Sequence, residues 1–226
     1  MEQKSKVWYL ENFNFFSELT VEERNFICKN TEMKSFKKNE PIYFQHSPAK
    51  SVYFLKEGKI RVSKYSEQET EFLIAILGEG EIFGESAVAG KAKRNEVAIA
   101  EEKTMLCVMS EEKMKELLLM VPGLKHKFGR MIEERLEKTQ KRLEDLTFKN
   151  NEERIIGFIK ETALKSLKNA NNEIVIENSL THQDIAKLTS TNRQMVSSVM
   201  SSLKKKNIID YDRKNIRILE LKKLDC

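Results

Sequence analysis

Residues 124–148 read LKHKFGRMIEERLEKTQKRLEDLTF, and this stretch decides how the chain is put together. Written in heptads, its a positions are Gly129, Leu136 and Leu143 and its d positions are Ile132, Thr139 and Leu146, while Glu133, Glu134, Lys138, Lys141 and Glu144 fall outside that row. So narrow a stripe suits a partner helix better than a globular core, which asks for a wider apolar face. The spacing predicts one long dimerisation helix with a seam of Ile132, Leu136, Thr139, Leu143 and Leu146; a surface helix packed on its own domain is the other reading. Thr139 sets a hydroxyl in an otherwise apolar row, where a polar residue either fixes register or touches something other than leucine.

The chain differs on the two sides of this helix. Before it, short runs rich in Val, Ile, Phe and Tyr recur at 41–44, 51–56, 59–65, 71–77, 96–100 and 104–109, punctuated by Glu57-Gly58, 66–69, 78–80 and 90–93. Many short strands with regular turns indicate a sandwich or barrel. Residues 13–30 carry Phe15, Phe16, Leu19, Phe26 and Ile27 on short helices, with Thr20 and Glu23 spaced as a capping box. Ser110 is the expected cap of a helix that Pro122-Gly123 separates from the long one.

After the long helix, 152–167 is helical by spacing, 169–172 breaks it, and EIVIE at 173–177 reads as a strand. Two helices with a tight connection follow: 181–188, the turn Thr189-Ser190-Thr191, and 192–203, which buries Val196, Val199, Met200 and Leu203. A hairpin at 207–211 and 215–219 closes a winged helix-turn-helix. The fold class is therefore α+β: a β sandwich or barrel over 1–123, the dimerisation helix over 124–148 and a winged helix-turn-helix over 149–226.

Charge separates the halves as well. Residues 1–148 hold 25 Lys and Arg against 25 Asp and Glu, and 149–226 hold 15 against 10, so the whole net charge of +5 lies in the C-terminal part. A basic small domain suits a polyanion. The exposed face of the second helix offers Arg193, Gln194, Ser197 and Ser198, followed by Lys204-Lys205-Lys206: forked donors for base edges, short side chains for close approach, cations for phosphate. Arg193 suits a bidentate contact to guanine and Gln194 one to adenine, while Thr181 and His182 lie where a helix N-terminus meets phosphate. Arg193 in a surface ion pair is the plainer alternative.

Cys28, Cys107 and Cys226 form no CxxC pair, and His46, His126 and His182 are dispersed, so no disulfide framework or metal site is indicated. A reducing cytoplasm fits, with no signal peptide or membrane span. No nucleophile with a base, paired catalytic carboxylates or metal-ligand spacing argues for an enzyme.

LTHQDIAKLTSTNRQMVSSVMSSLKKKNIID at 180–210 resembles the helix-turn-helix of the CRP/FNR transcription regulators, with Ser190 in place of the turn glycine and Ser198 in place of a common arginine. The resemblance spans nearly the whole chain. It implies a cytoplasmic homodimer on two-fold symmetric double-stranded DNA with half-sites roughly 34 Å apart, and RNA polymerase as a further partner. The DNA-binding set it implies is Thr181, His182, Arg193, Gln194, Ser197, Ser198 and Lys204. Residues 78–87, GEGEIFGESA, with Lys93-Arg94-Asn95, resemble the phosphate cassette of the family's cyclic-nucleotide-binding jelly roll. Gly84, Glu85 and Arg94 match it, and Thr139 falls where the family's threonine meets adenine. Ser86, Asn95, Glu96 and Gln140 depart from it. The implied effector set is Gly84, Glu85, Arg94, Asn95, Thr139 and Gln140, for cAMP or another small effector that biases the seam and a hinge at 148–151. No haem or iron-sulfur cluster is expected, since Cys28 stands alone near the N-terminus. The rivals are a constitutive DNA binder with a relic pocket and a cyclic-nucleotide-dependent regulatory subunit acting on a protein.

Overall fold

In a computed structural model of the chain, residues 13–166, 174–177, 180–212 and 215–224 are described. The N-terminal dozen residues, the expected break at 169–172, Arg213, Lys214 and Cys226 lie outside the described residues. The chain forms two compact units, Met1–Glu134 and Arg135–Cys226, whose boundary falls within the long helix.

The first unit opens with the short turn Asn14–Phe16 and helix α1, Val21–Lys29. Thr20 and Glu23 cap α1 reciprocally, as their spacing requires. Strands β1 (Thr31–Phe36), β2 (Pro41–Tyr43), β3 (Ser51–Glu57), β4 (Ile60–Tyr65), β5 (Glu71–Leu77), β6 (Ile82–Phe83), β7 (Val97–Ala100) and β8 (Thr104–Ser110) follow. They make two four-stranded antiparallel sheets, β1-β8-β3-β6 and β2-β7-β4-β5. Alternation along β3 and β8 explains why both strands read as nearly continuous apolar runs. Val52, Phe54, Cys107 and Met109 enter a core with Phe16, Ile27, Met114 and Leu117. Their neighbours Leu55 and Leu106 enter a second core with Ile60, Leu77, Phe83 and Ala98. Gly58 turns β3 into β4 at φ +91°, and an added Cβ there would stand 2.6 Å from Thr104 Oγ1 and 2.7 Å from the Lys103 carbonyl.

Helix α2 (Glu111–Met120) begins at its Ser110 cap, and α3 runs Pro122–Phe148. The expected start at 124 thus moves back two residues. Pro122 serves as the first helical residue, where a missing N–H leaves nothing unpaired. Strand β1, not expected from its sequence, lies at a sheet edge with Glu32 exposed, so no apolar alternation marks it.

The second unit contains the distal part of α3, then α4 (Asn151–Lys165), β9 (Ile174–Glu177), α5 (His182–Leu188), α6 (Arg193–Lys205), β10 (Ile209–Tyr211) and β11 (Asn215–Ile218). The expected hairpin gains a third strand: β9 pairs with β11 in the order β10-β11-β9. Ile155, Ile159, Ile176, Ile185, Val196, Met200, Leu203 and Ile216 form its core. Among the described residues, no helix is long and apolar enough to cross a membrane.

Candidate nucleic-acid interface and effector turn

Helix α6 is placed by its apolar stripe. Val196, Val199, Met200 and Leu203 are buried, each side chain stabilising the unit by about 1.5–3 kcal/mol. Asn192, expected inside this helix, is instead its cap and accepts from the Met195 N–H at 2.8 Å. The helical period then leaves Arg193, Gln194, Ser197, Ser198 and Ser201 exposed together. A guanidinium fork, an amide and three hydroxyls on one face of a two-turn surface are donors and acceptors matched to base edges.

Helix α5 packs against α6 and is capped by polar bonds at its N-terminus. The Thr181 hydroxyl donates to Asp184 Oδ2 at 2.7 Å and accepts from the Asp184 N–H at 3.2 Å. Thr181 thus caps α5 at the helix N-terminus where phosphate contact is proposed. His182 packs toward the Tyr211 ring, with centroids 6.0 Å apart. Burial, and after it the charge of Arg193, lowers its pKa below the ordinary imidazole range. The turn is tight: the Thr191 N–H donates to the Ala186 carbonyl at 2.8 Å, and Ser190 takes the left-handed φ of +53° that glycine accepts more readily.

Lys204 is engaged by the wing. Its ammonium pairs with Asp210 at 2.6 Å and donates to the Tyr211 carbonyl at 3.4 Å, tying α6 to the wing. The hydrogen bond to Asp210 raises the Lys204 pKa and lowers that of Asp210. Among the described residues Lys205, Lys206 and Arg217 are exposed cations of the same unit, and position rather than residue type sets them apart. The lysine run alone does not show which member the wing claims.

In the first unit the structure brings Gly84, Glu85, Ser86 and Arg94 together. Gly84 adopts φ +79°, and a Cβ there would meet Tyr53 Cδ2 at 2.9 Å and Arg94 Nη1 and the Ser51 carbonyl at 3.0 Å. Arg94 is buried at 1% exposure. Its guanidinium donates to the Gly84 carbonyl at 2.8 Å and to Ser86 Oγ at 3.1 Å, and also to the Ser51 carbonyl. It lies 4.5 Å from the centroid of the Tyr43 ring. Arg94 is thus bonded to two main-chain carbonyls and a hydroxyl. Glu96 instead accepts from the Tyr43 hydroxyl at 3.3 Å and from the Asn95 N–H at 3.2 Å. Burial, then Glu96, raises the Tyr43 pKa, with Glu85 adding to the effect. Tyr43, Tyr53 and Phe83 pack as a ring cluster, with Tyr43 and Tyr53 facing the guanidinium. Asn95 is exposed. Thr139 and Gln140 belong to the second unit, and the Thr139 hydroxyl donates to the Arg135 carbonyl one turn back at 2.8 Å.

Residues 33–120 match the cyclic nucleotide-binding domain, and residues 153–226 match the Crp-like helix-turn-helix domain. The chain is 24% identical over 205 residues to the Cyclic AMP receptor protein of Thermus thermophilus, covering 91% of this chain and 92% of that one. It is 26% identical over 188 residues to the Global nitrogen regulator of a Nostoc species, covering 82% and 84%. A solved CooA mutant from Carboxydothermus hydrogenoformans shares the fold at a TM-score of 0.77 and 20% identity, covering 98% of this chain and 95% of that one. These features define a DNA-binding transcription regulator that joins a cyclic-nucleotide-binding fold to a helix-turn-helix. The chain belongs to the CRP/FNR family of such regulators.

Proposed function

We propose that the chain acts in the cytoplasm as a homodimer that sets two copies of α6 into successive major grooves of a two-fold symmetric DNA site and touches RNA polymerase through surface loops. The observation that carries this reading is the joint exposure of Arg193, Gln194, Ser197 and Ser198 on one face of α6, over a fully apolar buried face. The seam supports the dimer. Ile132, Leu136, Leu143 and Leu146 are 40%, 50%, 60% and 42% exposed in the single chain, and a second copy of the helix would cover them. The expected test is selection of random-sequence duplex DNA by the full chain. It should enrich a palindrome with half-sites about one helical turn apart; enrichment of an unpaired half-site, or of no sequence, contradicts the proposal.

A second reading concerns the effector. For a cyclic phosphodiester to sit on the 84–95 turn through Arg94, the guanidinium must serve it alongside the Gly84 and Ser51 carbonyls and Ser86 Oγ, with Nε among the donors that those bonds do not engage. It must then hold an anion close to Glu85 and Glu96, the two carboxylates that act on Tyr43. The two nearby negative charges favour an effector recognised without Arg94, or regulation without one, over cAMP. Calorimetric titration with cAMP, backed by thermal shift, should show no binding. Saturable binding that disappears in Arg94→Ala restores the cyclic-nucleotide reading.

A further inference from the structure

Two arginines converge on the turn that joins α5 to α6. Arg142, on the distal half of α3, donates through Nη2 to the Lys187 carbonyl at 2.7 Å and reaches Ser190 Oγ at 3.5 Å. Arg154, on α4, donates through Nε to the Thr189 carbonyl at 2.9 Å and through Nη2 to the Ser190 carbonyl at 3.1 Å. The same Arg154 guanidinium donates through Nη1 to the Lys149 carbonyl at 2.8 Å, and through Nη2 to Asn151 Oδ1 at 2.6 Å. All of these groups lie within the second compact unit.

The acceptors explain the arrangement. Lys187 and Thr189 end α5, where the Lys187 carbonyl takes only a long backbone bond, from the Ser190 N–H at 3.4 Å, and the helix dipole attracts a cation. Ser190 holds a left-handed φ, so its carbonyl points out of the helical path. A guanidinium is rigid and forked, and can bind several carbonyls in one geometry, which a lysine cannot. Arg142 is partly buried at this contact, and burial lowers its pKa, as befits a cation set against carbonyls rather than a surface charge. Arg154 also spans the segment between α3 and α4, where the sequence suggests a hinge at 148–151. That segment is pinned further by the Asn150 cap, which accepts from the Glu152 and Glu153 N–H groups, and by the Lys149–Asp145 ion pair at 2.7 Å.

We propose that Arg142 and Arg154 are positioning residues for DNA recognition, bolting the α5–α6 turn to the distal half of α3 and to the α3–α4 turn so that the recognition helix turns with the dimerisation seam. Arg193 and its neighbours select bases, and the two arginines set the angle and spacing at which paired recognition helices meet DNA. Movement at the seam then reaches DNA without a loose hinge at 148–151. The inference rests on the DNA-binding reading, but its first readout does not need DNA.

The test compares the full-length wild type with Arg142→Ala and Arg142→Lys. Hydrogen exchange of the Thr189 and Thr191 amides, measured well below melting, should be about tenfold faster in Arg142→Ala and intermediate in Arg142→Lys, whose ammonium still reaches the Lys187 carbonyl. Binding is then measured on the duplex enriched by the wild type and on the same duplex with one base pair inserted at the dyad, which rotates the half-sites by about 35°. The wild type should lose about tenfold or more in affinity on the inserted site, and Arg142→Ala about threefold or less, with base discrimination at the Arg193 position retained. Arg142→Lys should recover part of the spacing penalty. Unchanged exchange in Arg142→Ala overturns the proposal, as does a uniform affinity loss that keeps the full spacing penalty. If Arg142→Ala does not fold, Arg142→Lys and Arg142→Gln carry the same readouts. If the wild type enriches no duplex, the DNA-binding reading fails, and the exchange result alone still decides whether Arg142 holds the turn.

Discussion

Replacing Arg94 by alanine separates two roles for the residue. In the structure Arg94 is a tie of the jelly roll: it is 1% exposed and holds the Gly84 and Ser51 carbonyls and Ser86 Oγ beneath the Tyr43 ring. A hydrogen bond from a charged donor contributes about 1.5–3 kcal/mol, and a cation over an aromatic face away from water about 2 kcal/mol. Against this, removing the side chain recovers several kcal/mol of the cost of burying a cation. Two main-chain carbonyls would be left without this donor in the interior, which sets the balance at a net loss of about 3 kcal/mol. For a unit the size of Met1–Glu134, with an unfolding entropy of about 2.1 cal/mol/K per residue, that lowers the midpoint by about 10 °C. Differential scanning calorimetry of the full chain reads it, with Arg193→Ala as a control that should leave the transition in place. An Arg94→Ala midpoint within about 1 °C of wild type, together with loss of a cAMP affinity that the wild type possesses, would refute the structural role and make Arg94 a ligand contact.

Three further outcomes follow from the geometry. Gly58→Ala forces a Cβ to 2.7 Å from the Lys103 carbonyl at φ +91° and should cost about 3 kcal/mol in urea denaturation; a loss below about 1 kcal/mol would show that the turn relaxes. Leu136→Asp with Leu143→Asp should convert the dimer to a monomer in sedimentation velocity and abolish binding to the two-fold site, whereas a persistent dimer would place the interface elsewhere. His182 titrates below its ordinary value of about 6.5 because of burial and Arg193, so the folded chain binds fewer protons there than the unfolded one. Its contribution to stability is complete above about pH 6.5 and is lost as pH falls toward the lowered native value. A DNA phosphate favours the imidazolium, so DNA affinity should rise over the same interval and His182→Gln should flatten that rise; an unchanged slope in the variant removes His182 from the interface.

Features whose signal is local could be read from sequence. Thr20 with Glu23, Ser110 as a cap and Thr181 at the head of α5 announce themselves within three residues, and the structure uses each. The face of α6 is similarly legible, because burial of Val196, Val199, Met200 and Leu203 dictates by period alone which side chains point away. What depends on distant partners was hidden. β9 reads as a lone strand until it pairs with β11, some forty residues along, and the charged edge strand β1 lacks an apolar pattern. Arg94 matches a ligand cassette in spacing, yet its fate turns on the Ser51 carbonyl in another strand. Asp210 in the wing pairs with Lys204, one of three lysines that look equivalent in sequence. Arg142 lies outside the heptad seam and reads as a solvated charge until α5 ends beside it.

The central claim is that the exposed face of α6 reads bases, and the most direct measurement is a two-by-two comparison by fluorescence anisotropy at fixed salt. Wild type and Arg193→Ala are each titrated onto the enriched duplex and onto the same duplex with the guanine opposite Arg193 replaced in both half-sites. The account predicts that wild type discriminates between the duplexes by about 1–3 kcal/mol per half-site and that Arg193→Ala binds both alike. Equal discrimination by the two proteins, or a loss of affinity in Arg193→Ala that is the same on both duplexes, would contradict it.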